Sequence, residues 1–216
     1  MEKKSVIMPN AFTGMKTIEK IVFLDNHSNI PQSNLEDFSR NQDMSVVGWY
    51  EDSTLFIAPM YGNKIFACTD CSFMFKSCFN LKEIIGLESF DTSDVRNMSF
   101  MFVDCVNLKS IDLSSFDTSN VIRAIGMFSR CKSLTTLNLS NFNTQNVRFT
   151  NWMMAKCKSI KDIDMSSFDL SKVKSLYGMF YGCESLRKLK FPISSVPKYA
   201  DKGNMFADCN NLTIVE

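Results

Sequence analysis

Six cysteines, at 78, 105, 131, 157, 183 and 209, are separated by 27, 26, 26, 26 and 26 residues. A period held over this many copies restricts the chain to folds in which one small unit is stacked on copies of itself, because such a unit cannot cover its own apolar side. Each cysteine ends a Met-Phe-x-x-Cys motif: Met74-Phe75, Met101-Phe102, Met127-Phe128, Met179-Phe180 and Met205-Phe206, with Met153-Met154 as the variant. Three residues after the cysteines come Leu81, Leu108, Leu134, Ile160, Leu186 and Leu212.

Within each unit, apolar residues next recur two apart: Ile111 and Leu113, Leu137 and Leu139, Ile163 and Met165, Leu189 and Phe191. This alternation predicts a short strand with one buried face. Phe90, Phe116, Phe142 and Phe168 close the strand and lead into "DTSDV", "DTSNV", "NTQNV" and "DLSKV", which read as turns whose polar side chains cap a helix start. Val121, Ala124, Met127, Phe128, Cys131 and Leu134 then fall at offsets matching one stripe of a helix. The expected unit is strand, turn and short helix, and the expected fold is an α/β curved solenoid. The unit from 78 to 105 is one residue longer, and the extra residue is placed in "KEIIG" as a bulge or looser corner.

Helices packed side by side lie ~8–10 Å apart. A cysteine on each helix is then too far from its neighbour for a disulfide, so the six periodic thiols are read as small buried hydrophobes. Cys68 and Cys71, outside the period, form a C-x-x-C; packing beneath the first unit is the leading reading, with a reactive pair or a zinc ligand pair as alternatives.

The polar positions between core residues of the strands are Ser110 and Asp112, Thr136 and Asn138, Asp162 and Asp164, and Lys188 and Lys190. They are expected to form a concave face, lightly acidic and turning basic at its last strand, where stacked-repeat proteins commonly bind partners. Asp112, Asn138, Asp162, Asp164, Lys188 and Lys190 are the candidate binding residues, joined by Phe149 and Trp152 as possible surface anchors. Asp91, Asp117, Asn143 and Asp169 form another column, which serves either to satisfy backbone groups at each turn or as a cation ladder. No metal, cofactor or catalytic residue is assigned: the one histidine, His27, has no visible cysteine or serine partnership, and no phosphate-binding loop occurs. The chain is expected not to be an enzyme.

With 24 Lys and Arg against 23 Asp and Glu the charge is balanced, which disfavours nucleic acid. No apolar run reaches the ~20 residues of a membrane span or follows the charged start as a signal peptide would. Residues 1–66 lack the period and read as a β-rich N-terminal cap, with strand patterns in "TIEKIVFLD" and "SVVGWYEDSTLFIAPMYGNKIFA"; residues 67–216 hold about six units, the last partial.

The units, written "MFxxCxxLxxLxLSxFDTSNV", closely resemble the bacterial surface-protein 26-residue repeat, of the BspA-like leucine-rich-repeat group and the repeats of unknown function found in mycoplasma lipoproteins. That resemblance implies a leucine-rich-repeat-like right-handed solenoid, displayed at the cell surface or secreted, that binds a protein or glycan in adhesion or host contact. Reduced core thiols fit a cytoplasmic location equally well. A structural spacer of a larger surface protein and an intracellular regulator are the competing readings; the chain is expected to be a monomer, with end-to-end pairing as the alternative.

Overall fold

A computed structural model describes residues 4–216; positions 1–3, where the expected cap begins, lie outside the described residues. Among the described residues, ten short strands and two single turns of 3-10 helix are the regular elements. In the N-terminal part are β1 (Lys20–Phe23), β2 (Glu36–Asp37), β3 (Val46–Glu51), β4 (Thr54–Pro59) and β5 (Ile65–Phe66); in the repeats are β6 (Glu83–Ile85), β7 (Phe90–Asp91), β8 (Asp162–Asp164), β9 (Lys188–Lys190) and β10 (Thr213–Val215). They form three separate sheets, ordered β2-β3-β4-β1-β6, β10-β9-β8 and β5-β7.

This overturns the expected fold class. There is no α-helix among the described residues, the strands are divided among small sheets, and the chain is not an α/β leucine-rich-repeat-like solenoid. Of the strand predicted in each of four units, only β8 and β9 form; the segments around Ile111–Leu113 and Leu137–Leu139 pair with no neighbour as strands.

The reason lies in the backbone around each Met-Phe-x-x-Cys. Two residues per unit adopt left-handed φ: Phe73, Phe100, Gly126, Trp152, Gly178 and Asn204 in one column, Ser77, Asp104, Arg130, Lys156, Gly182 and Asp208 in the other. An α-helix cannot pass through such residues. Instead the amides alternate between two jobs. Met127, Ser129 and Cys131 close three-residue turns onto Ala124, Gly126 and Phe128, whereas Gly126, Phe128 and Arg130 donate to Asn151, Met153 and Ala155 of the next unit. Parallel bridges continue the register through Asp70, Asn97, Arg123, Phe149, Ser175 and Asp201.

Neighbouring units therefore lie at strand spacing, not helix spacing. Ring centroids of Phe75 and Phe102 are 5.0 Å apart and those of Phe102 and Phe128 5.5 Å, close to the ~4.8 Å between paired strands and far below the ~8–10 Å between packed helices. The apolar stripe itself was correctly assigned to the core: Val121, Ala124, Met127, Phe128, Cys131 and Leu134 are all buried.

The N-terminal part continues the same core. Phe12 stacks on Phe75 at 5.0 Å, and the amides of Phe12 and Gly14 donate to the carbonyls of Met74 and Lys76, as if residues 12–14 were a preceding unit. β1 pairs with β6 of the first unit, and Ile21, Phe23, Leu55 and Ile57 belong to the cluster that runs on through the repeats. Trp49 and Phe56 stack on each other in a small separate cluster with Val47 and Ala58. The extra residue near "KEIIG" is absorbed where Gly86, at φ 78°, leads into a 3-10 turn at Leu87–Ser89.

Candidate functional site

The side chains of β8 and β9 alternate. Ile163 and Leu189 point into the core, which leaves Asp162, Asp164, Lys188 and Lys190 on the opposite face. Parallel pairing sets Asp162 opposite Lys188 and Asp164 opposite Lys190. With Ser110, Asp112, Thr136, Asn138 and Lys161 they line an open groove of about 900 Å³. Six of the eight candidate residues, Asp112, Asn138, Asp162, Asp164, Lys188 and Lys190, are brought together there; Phe149 and Trp152 are not among its lining residues. Lys161 also lines the groove, and the strand alternation missed it because it lies just before β8.

The polar groups in the groove differ in how far they are already engaged. Asp112 Oδ1 accepts from the Ser114 amide at 2.9 Å, and Asn138 Oδ1 from the Ser140 amide at 3.0 Å. Asp164 Oδ1 accepts from the Ser166 amide at 3.0 Å, while its Oδ2 meets Lys190 Nζ at 2.7 Å. The Lys190 ammonium and then the Ser166 hydroxyl and amide hold the Asp164 carboxyl well below the usual carboxylate range; the Ser114 amide and hydroxyl lower that of Asp112. Asp162 and Lys188 face each other across the same two strands yet have no ion-pair or side-chain hydrogen-bond partner among the described residues, and both are exposed. The groove can thus offer the unengaged carboxylate of Asp162 and the unengaged ammonium groups of Lys161 and Lys188 to a ligand.

Phe149 is partly buried and serves as a rung between Arg123 and Ser175. Trp152 is 44% exposed and lies over Gly178, where an added Cβ would come within 2.4 Å of the indole.

The other polar columns are structural. Asp91, Asp117, Asn143 and Asp169 each accept from the amide two residues ahead, at 2.9–3.2 Å, so each caps its own turn. Among the described residues no group of three or more His, Cys, Asp or Glu is arranged to hold a metal ion. Thr92, Thr118 and Thr144, read from the sequence as helix caps, are instead buried brackets between units: each hydroxyl donates to the carbonyl, and accepts from the amide, of Asp117, Asn143 or Asp169.

All eight cysteines are free thiols. The periodic ones do more than fill space, because each sulfur donates to a carbonyl of the preceding unit: Cys105 to Phe75, Cys131 to Phe102, Cys157 to Phe128 and Cys183 to Met154, all at 3.1 Å. Cys78 reaches Phe12 in the same way at 3.0 Å. Burial pushes the Cys78 and Cys157 thiols up to about 12 and those of Cys105 and Cys131 well above their ordinary value. Cys68 and Cys209 shift the other way: the neighbouring Cys71 thiol draws Cys68 down to about 7, and the Cys183 thiol lowers Cys209.

No helix among the described residues is long and apolar enough to cross a membrane. Searches of curated proteins and of solved structures find no significant match. A family model does match, over residues 69–190 and 137–213, which takes in the groove and every Met-Phe-x-x-Cys unit. The chain belongs to the repeat family described as Mycoplasma protein of unknown function, DUF285.

Proposed function

We propose that the chain is a non-catalytic interaction module that holds a protein or glycan ligand in the groove of β8 and β9, in adhesion or host contact at a bacterial surface. The observation that carries this reading is the unengaged pair Asp162 and Lys188. Two residues along the same strands, Asp164 and Lys190 meet at 2.7 Å, so the backbone geometry allows such a bridge. An exposed ion pair contributes only ~0–1 kcal/mol to stability, which leaves Asp162 and Lys188 to a ligand at little cost to the fold. The resemblance of the Met-Phe-x-x-Cys units to BspA-type surface repeats supports the adhesive role and surface display.

The test compares the wild type with the double variant Asp162→Ala, Lys188→Ala on a glycan array and in pull-downs from host-cell surface extracts. Ligands retained by the wild type and lost by an equally stable variant are expected; identical retention by both would sink the reading. A second reading, assembly into a larger structure, is favoured by the exposed Ile214 and Val215 on β10, a strand paired on one side only. Concentration-dependent association in sedimentation, abolished by Ile214→Lys, would support it.

A further inference from the structure

We propose that Trp152 is the platform of a second site, separate from the groove, that takes the apolar face of a neutral pyranose in an oligosaccharide. The left-handed column to which it belongs runs Phe73, Phe100, Gly126, Trp152, Gly178 and Asn204, with φ between 52° and 61°. Each glycine of the column makes room for the aromatic ring of the unit before it. The Phe100 ring leans over Gly126, and the indole of Trp152 lies over Gly178 with Cδ1 and Nε1 at 2.4 and 2.5 Å from where a Cβ would stand. Tyr177 meets the indole edge-on, with centroids 5.6 Å apart at 88°. The ring is therefore held in one orientation and still 44% exposed.

Its polar surroundings match a sugar's hydroxyls. Asn204 Nδ2 donates to the Tyr177 hydroxyl at 2.7 Å, which fixes that oxygen and frees its hydrogen for a ligand. Asn151 Nδ2 donates to Ser175 Oγ at 2.6 Å, leaving the side-chain oxygen Asn151 Oδ1 open. The indole N–H has no hydrogen-bond partner among the described residues. A pyranose has a C–H face that stacks on a flat aromatic ring and a rim of hydroxyls that meets amide, phenol and indole groups around it. The ring lies on open surface beside the neutral Asn151 amide and Tyr177 phenol, which suits a pyranose; a polypeptide ligand is the alternative that the test separates. Little rotamer freedom is lost on binding because the indole is already packed on one side. The proposal does not rest on the groove reading.

Intrinsic fluorescence of the intact chain provides the test. The other tryptophan, Trp49, is buried, stacked on Phe56 and bonded to Glu51, so a change on adding sugar reports on Trp152. The chain is titrated to millimolar concentrations of chitohexaose, cellohexaose and maltohexaose, with gelatin as a polypeptide probe. A saturable change with at least one sugar is expected, with calorimetric affinity lowered about tenfold or more by Trp152→Ala and partly kept by Trp152→Phe. The variant Phe79→Ala, which removes another exposed ring, should bind the sugar as the wild type does. The proposal is overturned by the absence of a saturable change with all three sugars, by a response to gelatin alone, by unchanged affinity in Trp152→Ala, or by an equal loss of sugar binding in Phe79→Ala.

Discussion

Thr118 and Asn143, 25 positions apart, exchange two hydrogen bonds: the Thr118 hydroxyl donates to the Asn143 carbonyl at 3.2 Å and accepts from the Asn143 amide at 2.8 Å. One buried hydroxyl thus satisfies both backbone groups of a residue in the next unit. Thr92 and Thr144 do the same, and Leu170 in the following unit ends the series because it has no hydroxyl to offer.

Replacing Thr118 with valine keeps the shape but leaves both Asn143 groups unpaired. The expected loss is about 1–3 kcal/mol, measured by urea unfolding. A change within error would show that these hydroxyls do not hold the units together.

Cys131→Ala removes a fully buried sulfur and the donor to Phe102, so a loss of about 1–2 kcal/mol is expected. Reductant should leave the melting temperature of the wild type unchanged, since all eight thiols are free. In a thiol-labelling time course, half-buried Cys209 should react before the buried Cys105, Cys131 and Cys157.

Stability should also depend on pH at both extremes. The Cys157 thiol is raised from 9.0 to about 12 by burial, so its contribution is complete below pH 9.0 and declines as pH rises towards 12. The carboxyls of Asp112, Asp164 and Asp169 are lowered from 3.8 by the bonds they accept, so their contribution is complete above pH 3.8 and is lost below it. Denaturant midpoints should decline as pH drops below 3.8 and as it rises from 9 towards 12; a midpoint that increased from pH 9 to 11 would contradict the burial of the thiols.

Gly86→Ala should be among the most damaging single changes. At φ 78° an added Cβ would stand 1.9 Å from the Phe23 carbonyl oxygen, which is backbone and cannot turn aside. A loss of at least about 2 kcal/mol is expected, together with disturbance of the β1–β6 pairing in an amide NMR spectrum.

The period, the core stripe and the clustering of Asp112, Asn138, Asp162, Asp164, Lys188 and Lys190 were legible in the sequence because alternation and repetition act at short range. The helix was misread for a specific reason. Three-residue turns ending at Val121, Met127, Cys131 and Leu134 place apolar residues at nearly the same spacing as helical turns. What separates the two is left-handed φ at Arg130, Trp152 and Lys156, residue types that give no sign of it in a sequence. Gly126, Gly178 and Gly182, recurring in those same columns, were the available signal. The hydrogen bond from each cysteine was likewise invisible, because the distance to the preceding unit's carbonyl depends on strand spacing that the helical reading had ruled out.

Far-ultraviolet circular dichroism of the intact chain tests the turn-and-ladder repeat most directly. The expected spectrum is dominated by strand and turn, without the double minimum of α-helix. A helical signal large enough to correspond to a short helix in each of the Met-Phe-x-x-Cys units would contradict it.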